Sequence, residues 1–474
     1  MLDIELIREK TEWVREQLVK LNAEDVFPRI DAILELDRKR RELITEGQKV
    51  KEARNAFSKG AGRLRGDKNL EPSVKIAAAA AVTAAVQAGD YDRGIVLMDE
   101  PSSAPKANSS LDEKTAFENL FAILKTLGDR VSEIDEQVRE TEAALDEQMA
   151  WIPNMPHEST PVGKSEEENI PYPHEGEKRS FKFTPKPHWE LAPELDIIDF
   201  DRGVKLSGTR FYIIKAGGAR LYRALINWMI DEHIKRGFTE LYVPFMVREN
   251  ALMGAAQFPK FRDVVYFDPD AGLYMLPTAE VAMTYMYADE ILEEDNLPLH
   301  FVAHTPCFRR ERLSAGRDVR GIKRVHQFEK VEMYKFTTPE TSYDEMETLM
   351  QSAEHVCRGL KIPFRRLEIV TGDLGFAATK KFDIEMYAPG CDEWLEVSSV
   401  SNTEAFQARR ANLRYRPRDG GKPRFVHTLN GSGLGMARAL IAVMENNQQA
   451  DGSIQIPDVL IPYMGGMEVI EPQK

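Results

Sequence analysis

The residues that decide the fold read FRRERLSAGRDVRGIKRVHQFEKVE and occupy positions 308–332 of the chain. Arg309 and Glu311 come first, two positions apart, and residues two apart on a strand point to the same face. The Gly- and Arg-rich residues that follow, Ser314 to Gly321, have the composition of a turn between two strands. The segment therefore predicts a strand that ends in a basic turn.

A second strand is predicted on the return, from Val325 to Phe336. Its alternation puts Phe328, Lys330 and Glu332 on one face. The whole stretch then forms a hairpin with fixed charges of both signs at its base. A surface hairpin with scattered ion pairs has the same pattern, so other segments of the chain must decide between a surface and a site.

The bulk composition indicates a soluble globular protein of two or three domains. The chain has 474 residues, of which 42% are hydrophobic and 30% are charged, and these fractions are typical of folded rather than disordered proteins. The net charge of −14 argues against a chain covered in nucleic-acid-binding charge. It leaves room for a local basic site, because the field near a groove is set locally.

The cysteines and the N-terminal residues favour a reducing, cytoplasmic location. Cys307, Cys357 and Cys391 are far apart and form no Cys-x-x-Cys pair, which disfavours a disulfide framework and a Cys-rich zinc site. The first residues are acidic early and lack the apolar core of a signal peptide. The most apolar run of low complexity, Ile76 to Val86, is too short to span a bilayer.

Residues 1–150 are predicted to form an antiparallel coiled-coil arm. Heptad spacing appears in two separate sets of apolar residues, and such spacing is the seam of a coiled coil. The first set is Leu36, Leu43, Val50 and Phe57, and the second is Leu120, Leu124, Leu127, Val131, Ile134, Val138 and Leu145. Two such helices in one chain fold back most simply as a hairpin. Dimerisation, spacing and RNA binding are all compatible with such an arm.

Charge does not decide the purpose of the arm. Residues 34–68 hold eleven basic and six acidic side chains, whereas residues 118–148 hold three basic and nine acidic ones. The first, basic helix could therefore contact phosphates, while the second, acidic helix faces water. An insertion at about 67–110 is expected to contain an Ala-rich helix, Ile76 to Ala88, and a Pro/Ser/Ala-rich linker, Pro101 to Ser110.

The second half of the chain has a mixed helix and strand pattern. Residues 151–186 are Pro-punctuated and acidic, which is typical of an extended linker, and residues 187–474 are expected to form a second domain. An amphipathic helix is predicted from Ala219 to Ile234. Gly237 to Pro244 predicts a strand, and its terminal proline indicates the edge of a sheet.

Three further segments carry side chains suited to a ligand site. Thr278 and Glu280 are expected on one face of a strand, and Glu396 with nearby serines offers hard oxygen ligands that suit Mg²⁺. Asn430 to Arg438 is predicted to be a Gly-rich turn that leads into a helix, Ala439 to Glu445. Its glycine spacing and context do not fit a dinucleotide fingerprint, and no P-loop motif occurs in the chain.

Together these segments predict a polyphosphate site with a small polar neighbour. Arginines on separate elements can clamp phosphoryl oxygens, an aromatic ring can stack on a base, and carboxylates can hold a metal or an ammonium group. The chain has neither a Ser-His-Asp order nor a His-Glu-x-x-His motif, and His326 is interpreted as structural. Catalysis by positioning and charge neutralisation is therefore expected.

These motifs resemble those of the class II aminoacyl-tRNA synthetases, and in particular the bacterial type of the seryl-tRNA synthetase family. Motifs 1, 2 and 3 of that class are similar to the segment ending at Pro244, the Phe308–Glu311 hairpin strand and the Gly-rich segment ending at Arg438. The resemblance covers almost the whole chain. It implies an α+β fold in which helices flank an antiparallel catalytic sheet, preceded by an antiparallel coiled-coil arm that grips serine tRNA.

The resemblance also implies roles for individual residues. Those expected to bind ATP are Arg309, Arg310, Glu311, Val325, His326, Gln327, Phe328, Glu396, Val397, Ser398, Ser399 and Arg438. Those expected to bind serine are Thr278, Ala279, Glu280, Arg309, Glu332, Asn430 and Ser432. Arg309, Glu311 and Arg438 are expected to be catalytic, and Glu396 and Ser399 to hold Mg²⁺.

The function implied is activation of serine with ATP and transfer to serine tRNA by a cytoplasmic homodimer, with selenocysteine tRNA as a further candidate substrate. One alternative is a related ligase that charges a carrier protein, although such relatives usually lack the arm. Another is a non-catalytic RNA-binding or structural paralogue, although Arg309, Glu332 and Arg438 are all present. The chain departs from the family at Arg310, Arg312 and Leu313, beside the loop expected to meet the tRNA acceptor end.

Overall fold

The computed structural model describes residues 1–105, 111–311 and 320–472. Contacts divide the chain into two compact units. One unit is Pro28–Met149, and the other combines Met1–Phe27 with Ala150–Lys474. The first 27 residues therefore group with the C-terminal unit. The predicted domain boundaries at residues 150, 151–186 and 187 stay a prediction.

Helices occur in both units. In chain order they are α1 (Ile4–Glu9), α2 (Thr11–Lys20), α3 (Phe27–Gly66), α4 (Pro72–Gln87), α5 (Tyr91–Asp99), α6 (Glu113–Met149), α7 (His188–Glu194), α8 (Phe200–Ser207), α9 (Ala216–Lys235), α10 (Glu249–Gly254), α11 (Glu280–Tyr285), α12 (Ser342–Gly359), α13 (Phe406–Arg410) and α14 (Met436–Asn447). Within the described residues, none of these helices is long and apolar enough to cross a membrane.

The predicted antiparallel coiled coil is present in the first unit as α3 and α6. Contacts between the two helices run in opposite chain order, since Arg29 bonds Gln148 and, further along α3, Lys51 bonds Asp135. Their heptad residues share one core with the insertion. Those buried in it are Leu43, Val50, Phe57, Leu120, Leu127, Val131 and Ile134.

The insertion packs against the arm rather than extending as a linker. Its predicted Ala-rich helix is α4, and α5 is a second helix that the sequence pattern did not indicate. The packing is close at Gly94, where an added Cβ would lie 2.7 Å from the ring of Phe57. The linker predicted over Pro101–Ser110 begins with a short 3₁₀ turn, Pro101–Ser103, and residues 106–110 lie outside the described residues.

The second unit is built on a sheet of eight strands. In chain order they are β1 (Ile170–Pro171), β2 (Thr239–Leu241), β3 (Leu299–Phe308), β4 (Gln327–Thr337), β5 (Phe364–Glu368), β6 (Lys380–Ala388), β7 (Glu393–Glu404) and β8 (His427–Gly435). Their order across the sheet is β1-β5-β6-β7-β8-β4-β3-β2. Neighbours are antiparallel except β2, which runs parallel to β3 at the edge, and the predicted edge strand is thereby confirmed.

Within the described ranges, short strands form four smaller sheets. These pair Ile198–Asp199 with Ile213–Ile214, Leu273–Met275 with Met246–Val247 and Phe267–Asp268, Arg414–Arg416 with Ile291–Glu293 and Arg424–Phe425, and Ile454–Gln455 with Val469–Ile470.

The predicted central hairpin is β3 and β4. Its strands pair without interruption from Phe308 opposite Gln327 to Leu299 opposite Phe336. The turn predicted between them falls mostly on residues 312–319, which include Arg312 and Leu313 and lie outside the described residues. Alternation along β4 then sends its even-numbered and odd-numbered side chains to opposite faces of the sheet.

Each face of the sheet has its own apolar core. Val331 and Met333 of β4 are buried in a core that also contains residues of α9, α12 and α14. Tyr334 and Phe336 are buried on the other face in a second core, to which α10, α11 and α13 contribute. The antiparallel sheet with flanking helices agrees with the predicted α+β class.

Two local predictions were wrong. The Gly-rich residues from Asn430 belong to a central strand, β8, and the following helix starts at Met436 rather than Ala439. The glycines serve close packing, because a Cβ on Gly431 would lie 2.9 Å from Val400. The segment with Thr278 and Glu280 is not a strand either: Thr278 precedes α11, and Glu280 lies in its first turn, where a carboxylate is favourable.

Candidate active site

A cavity of about 420 Å³ opens on the face of the sheet to which the even-numbered residues of β4 point. It combines residues from the hairpin, α11, β7, β8 and the start of α14. The predicted site residues that line it are Glu280, Arg309, Glu311, Val325, Phe328, Glu332, Glu396, Val397, Ser399, Asn430, Ser432 and Arg438. Segments separated by more than 150 positions in the sequence therefore meet in one site.

Other predicted site residues do not line the cavity. Among the described residues these are Thr278, Ala279, Arg310, His326, Gln327 and Ser398. Ala279 is completely buried in the second core, and the guanidinium of Arg310 lies over the ring of Tyr266. The hydroxyl of Ser398 donates to the carbonyl of Ser432, so Ser398 supports the wall rather than forming it.

The base of the hairpin holds a cation beside an aromatic ring. The guanidinium carbon of Arg309 lies 5.2 Å from the ring centroid of Phe328. Its Nε donates to the carbonyl of Pro277 at 3.2 Å, which orients the remaining N–H groups. An arginine fixed next to an exposed ring face is suited to hold a phosphate and a base together.

His326 supports this base from outside the cavity. Its Nδ1 lies 3.0 Å from the carbonyl oxygen of Arg309 and 3.1 Å from the hydroxyl of Tyr266, and its ring stacks on Phe211 at 5.2 Å. Arg210 adds a second support by donating to the carbonyl of Glu311 at 2.9 Å. These contacts agree with the structural interpretation of His326.

Arg438 and Glu396 face each other on the opposite side of the cavity. The guanidinium of Arg438 lies 3.2 Å from the Glu396 carboxylate and donates to the Glu396 carbonyl at 2.9 Å. Desolvation alone would raise the pKa of Glu396, but Arg438 and Lys381 outweigh it and lower that pKa. The carboxylate is thus kept ionised within reach of the cavity.

The oxygens near Glu396 fit a hard divalent cation. Ser399 lines the cavity with Glu396, and Asp383 lies directly opposite Ser399 in the sheet register. Desolvation and the charge of Glu396 raise the pKa of Asp383, against an opposing effect of Lys381, so the two carboxyl groups act on each other at this corner. Carboxylate and hydroxyl oxygens grouped in this way are the donors that Mg²⁺ prefers.

The other end of the cavity contains a buried Lys–Glu pair. Glu332 is 2% exposed and forms an ion pair with Lys330. Lys330 Nζ also donates to the hydroxyl of Thr278 at 2.8 Å. Ser432, on β8, lies directly opposite Glu332. This end offers donors and acceptors for a small polar ligand.

Glu280 is a second buried carboxylate at this end. Desolvation and the nearby charge of Glu332 raise its pKa to about 7, against an opposing effect of Lys330. Gln407 Nε2 donates to Glu280 Oε1 at 2.6 Å. The Gln407 carbonyl in turn accepts from Tyr334 and Thr428, so a buried network fixes the carboxylate.

A buried cluster outside the cavity supports the return of the hairpin. Glu445 of α14 accepts from His188 Nδ1 at 3.0 Å and from the Cys391 thiol at 3.1 Å. The Ile322 N–H donates to the Nε2 of the same histidine at 3.2 Å. The cluster therefore ties α14 to residue 322, three positions before Val325, which lines the cavity.

Sequence reasoning missed several cavity or support residues. Lys330 had a usable signal, because it alternates with Phe328 and Glu332 on β4. Gln407 and Lys381 had none, since neither belongs to the motifs and only the folded sheet brings them to the site.

Comparison with known proteins first identifies the class. Residues 265–447 match the family described as tRNA synthetase class II core domain (G, H, P, S and T), and residues 1–90 match the seryl-tRNA synthetase N-terminal domain. With an antiparallel sheet that carries the cavity, the chain is a class II aminoacyl-tRNA synthetase.

Individual relatives identify the family. A serine–tRNA ligase of Roseiflexus sp. (strain RS-1) is 51% identical over 99% of both chains. Seryl-tRNA synthetase from Pyrococcus horikoshii, solved with ATP, is 35% identical with a TM-score of 0.84 over 100% of both chains. Cytoplasmic serine–tRNA ligase from Naegleria fowleri, solved with AMP, is 28% identical with a TM-score of 0.81, covering 100% of this chain and 99% of that one. The chain belongs to the seryl-tRNA synthetase family.

Proposed function

We propose that this protein activates serine with ATP inside the cavity and then transfers the seryl group to serine tRNA. One observation carries the proposal: the cavity has cations and a ring at one end and a buried polar pocket at the other. Arg309 and Arg438 supply the first end, and Glu332 and Ser432 supply the second. A nucleotide suits the first end and a small polar amino acid suits the second, so the two ligands can bind side by side.

In the proposed first step the serine carboxylate attacks the α-phosphorus of ATP and pyrophosphate leaves. Arg309 offsets the charge that builds on the α-phosphoryl oxygens, because a fixed guanidinium needs no reorganisation during the reaction. Glu396 and Ser399 would hold Mg²⁺, which neutralises phosphate charge when bound. Positioning the two substrates in line supplies much of the remaining acceleration.

The nucleotide base is proposed to lie on Phe328. Its ring lines the cavity next to the Arg309 guanidinium, and the Glu311 carboxylate is suited to accept from the adenine amino group. Arg438 would cover the nucleotide from the other side of the cavity. The main-chain contacts from Arg210 and His326 keep the two hairpin strands in place.

The coiled-coil arm is proposed to bind the extra arm of serine tRNA. The excess of basic side chains in residues 34–68 supports this for α3, because phosphate binding depends on clustered Lys and Arg. Selenocysteine tRNA is a second candidate substrate, because the same arm would bind it.

A homodimer is also proposed, with the motif 1 segment at its interface. Tyr242, which follows the edge strand β2, is 88% exposed, and Met246 and Phe267 are exposed as well. Exposed apolar side chains favour burial against a partner. A cytoplasmic location also stays a proposal.

Pyrophosphate–ATP exchange measured with each of the twenty amino acids tests the proposed activity. We expect exchange with serine to exceed that with alanine by ~10⁴-fold or more, because alanine would leave buried polar groups unpaired. Charging of serine tRNA under the same conditions tests the transfer step. Exchange that prefers another amino acid, or charging of a carrier protein in place of tRNA, would contradict the proposal.

A further inference from the structure

Lys330 occupies the amino-acid end of the cavity, and none of the motifs assigns it a role. It lines the cavity and is only 9% exposed. Thr278, which was expected to line the serine pocket, instead lies behind Lys330 and contacts its ammonium group at 2.8 Å. Lys330 therefore stands where the sequence predicted that the threonine would meet the ligand.

The hydrogen-bonding capacity of Lys330 is only partly used. An ammonium group has three N–H donors and no acceptor. One donor reaches the Thr278 hydroxyl, and the ammonium group also forms an ion pair with the Glu332 carboxylate. Within the described part of the chain the third N–H has no hydrogen-bond partner, and the ammonium group borders the cavity.

The Thr278 hydroxyl anchors this arrangement. Its oxygen accepts from Lys330 Nζ at 2.8 Å and from the main-chain N–H of Glu280 at 3.2 Å. Both of its acceptor positions are then filled. The threonine is thus committed to holding the lysine, and it has no acceptor position left for a ligand.

We propose that Lys330 is a specificity-determining residue that donates its third N–H to the hydroxyl oxygen of serine, while the Glu332 carboxylate accepts a hydrogen bond from the same hydroxyl. The inference rests on the proposed serine site. A hydroxyl is both a donor and an acceptor, so one cation and one carboxylate held side by side satisfy both of its roles.

The pair explains selection against alanine. Without a hydroxyl on the ligand, the third Lys330 N–H and the remaining acceptor capacity of the Glu332 carboxylate would stay buried without a hydrogen-bond partner, and this is unfavourable. Threonine offers the same hydroxyl, so this pair does not reject it. Its exclusion must come from the shape of the cavity.

The test compares Lys330→Met with Lys335→Met. Lys335 is a matched control because it is a buried lysine of the same strand that bonds a glutamate and a threonine, Glu345 at 2.7 Å and Thr348 at 2.5 Å. It lies on the opposite face and does not line the cavity. The measured quantity is the ratio of kcat/KM for serine to kcat/KM for alanine in pyrophosphate exchange.

We expect Lys330→Met to lower the serine/alanine ratio by about 10- to 100-fold, the range for a hydrogen bond to a charged group, with the KM for ATP unchanged. Lys335→Met should leave the ratio unchanged and lower the thermal midpoint. A purely structural role for Lys330 would reduce activity with both amino acids equally, and an unchanged ratio overturns the inference.

Two further measurements keep the inference testable. If Lys330→Met does not fold, Thr278→Val removes the hydroxyl that holds Lys330, together with its bond to the Glu280 N–H, and should lower the ratio by about 3- to 10-fold; an unchanged ratio in that variant also overturns the inference. The unmodified protein is assayed first. If it shows no serine-dependent exchange, the proposed function fails and the inference falls with it, whereas normal exchange with an unchanged ratio in the variants overturns the inference alone.

Discussion

Glu332 and Ser432 lie directly opposite each other on the neighbouring antiparallel strands β4 and β8, and both line the cavity. The Cβ atoms of residues directly opposite are about 5 Å apart, so one small ligand group can contact both. The register shifts next to this pair, between Lys330 and Glu332. The irregularity falls where the sheet carries the amino-acid end of the cavity.

The first prediction concerns this pair. We expect Glu332→Gln to lower kcat/KM for serine by about 10- to 100-fold and Ser432→Ala by about 3- to 10-fold, because the first removes a charged hydrogen-bond partner and the second a neutral one. Pyrophosphate exchange at saturating ATP measures both. Glu345→Gln is the control, since that glutamate pairs with Lys335 away from the cavity, and a comparable serine defect there would refute the assignment.

The second prediction concerns the pH dependence of serine binding. The pKa of Glu280 is raised from 4.5 to about 7 by desolvation and by Glu332. The serine ammonium group binds a carboxylate better than a carboxylic acid. We therefore expect the Kd for serine to fall as pH rises through about 7, with protons released on binding. Calorimetry in buffers of different ionisation enthalpy measures both quantities.

Glu280→Gln isolates this titration. The variant should bind serine more weakly and lose the pH step near 7, and a step that survives would assign it to another group. A rise in pH, which should strengthen serine binding, should have the opposite effect on the stability contributed by Glu280. Between pH 4.5 and about 7 the folded protein binds more protons at Glu280 than the unfolded chain does, so this group lowers the free energy of unfolding as pH rises.

Strong periodicities allowed the arm and the hairpin to be predicted from the sequence. The seven-residue spacing of Leu43, Val50 and Phe57 needs no knowledge of distant residues, and neither does the alternation of Phe328 with Glu332. Both patterns report which side chains share a face, and the structure buries or exposes those faces as expected.

The predictions failed where long-range packing decides local structure. The segment after Asn430 has the glycine-rich composition of a turn, yet it forms a central strand. Glycines occupy it because Val400 and His233 pack into the space that side chains would fill. Thr278 lies behind Lys330 because Glu280 starts a helix rather than continuing a strand. The composition of a segment does not reveal its contacts with residues that are distant in the sequence.

The third prediction concerns the cluster of His188, Cys391 and Glu445. The Ile322 N–H donates to His188 Nε2, so the proton of the neutral ring is on Nδ1, which then donates to Glu445. We expect Glu445→Gln to lower the free energy of unfolding by about 3 kcal/mol, because it breaks a buried network. Chemical denaturation measures this. Asp458→Asn, which loses an exposed ion pair with Lys361, should have no measurable effect.

The same cluster predicts the result of metal removal. Its ligand-type atoms lie within 4.8 Å of one another, but a metal at Nδ1 would displace the proton that bonds Glu445. We therefore expect EDTA, added in the absence of ATP, to leave the thermal midpoint unchanged. A drop in the midpoint that zinc restores, together with zinc in the purified protein, would show that the cluster holds a metal.

The fourth prediction separates the two units. The arm, Pro28–Met149, has its own apolar core, and the cavity residues all belong to the other unit. The ends of the arm lie close together, since Arg29 bonds Gln148 at 2.8 Å, so a short Gly/Ser linker can replace it. We expect the deletion to keep serine-dependent pyrophosphate exchange within about threefold and to abolish charging of serine tRNA, because the phosphate contacts that favour tRNA binding would be lost.

A charge-reversal variant serves as a milder version of the same experiment. Arg38 and Arg41 lie on α3 and are 64% and 53% exposed, so Glu at both positions should raise the KM for serine tRNA at least tenfold and leave exchange unchanged. Glu at Arg416 and Arg418, which are equally exposed on the other unit, is the matched control. The KM for tRNA should rise with salt in the unmodified protein and less steeply in the α3 variant. Equal effects of the two pairs would mean that general surface charge, rather than the arm, attracts the tRNA.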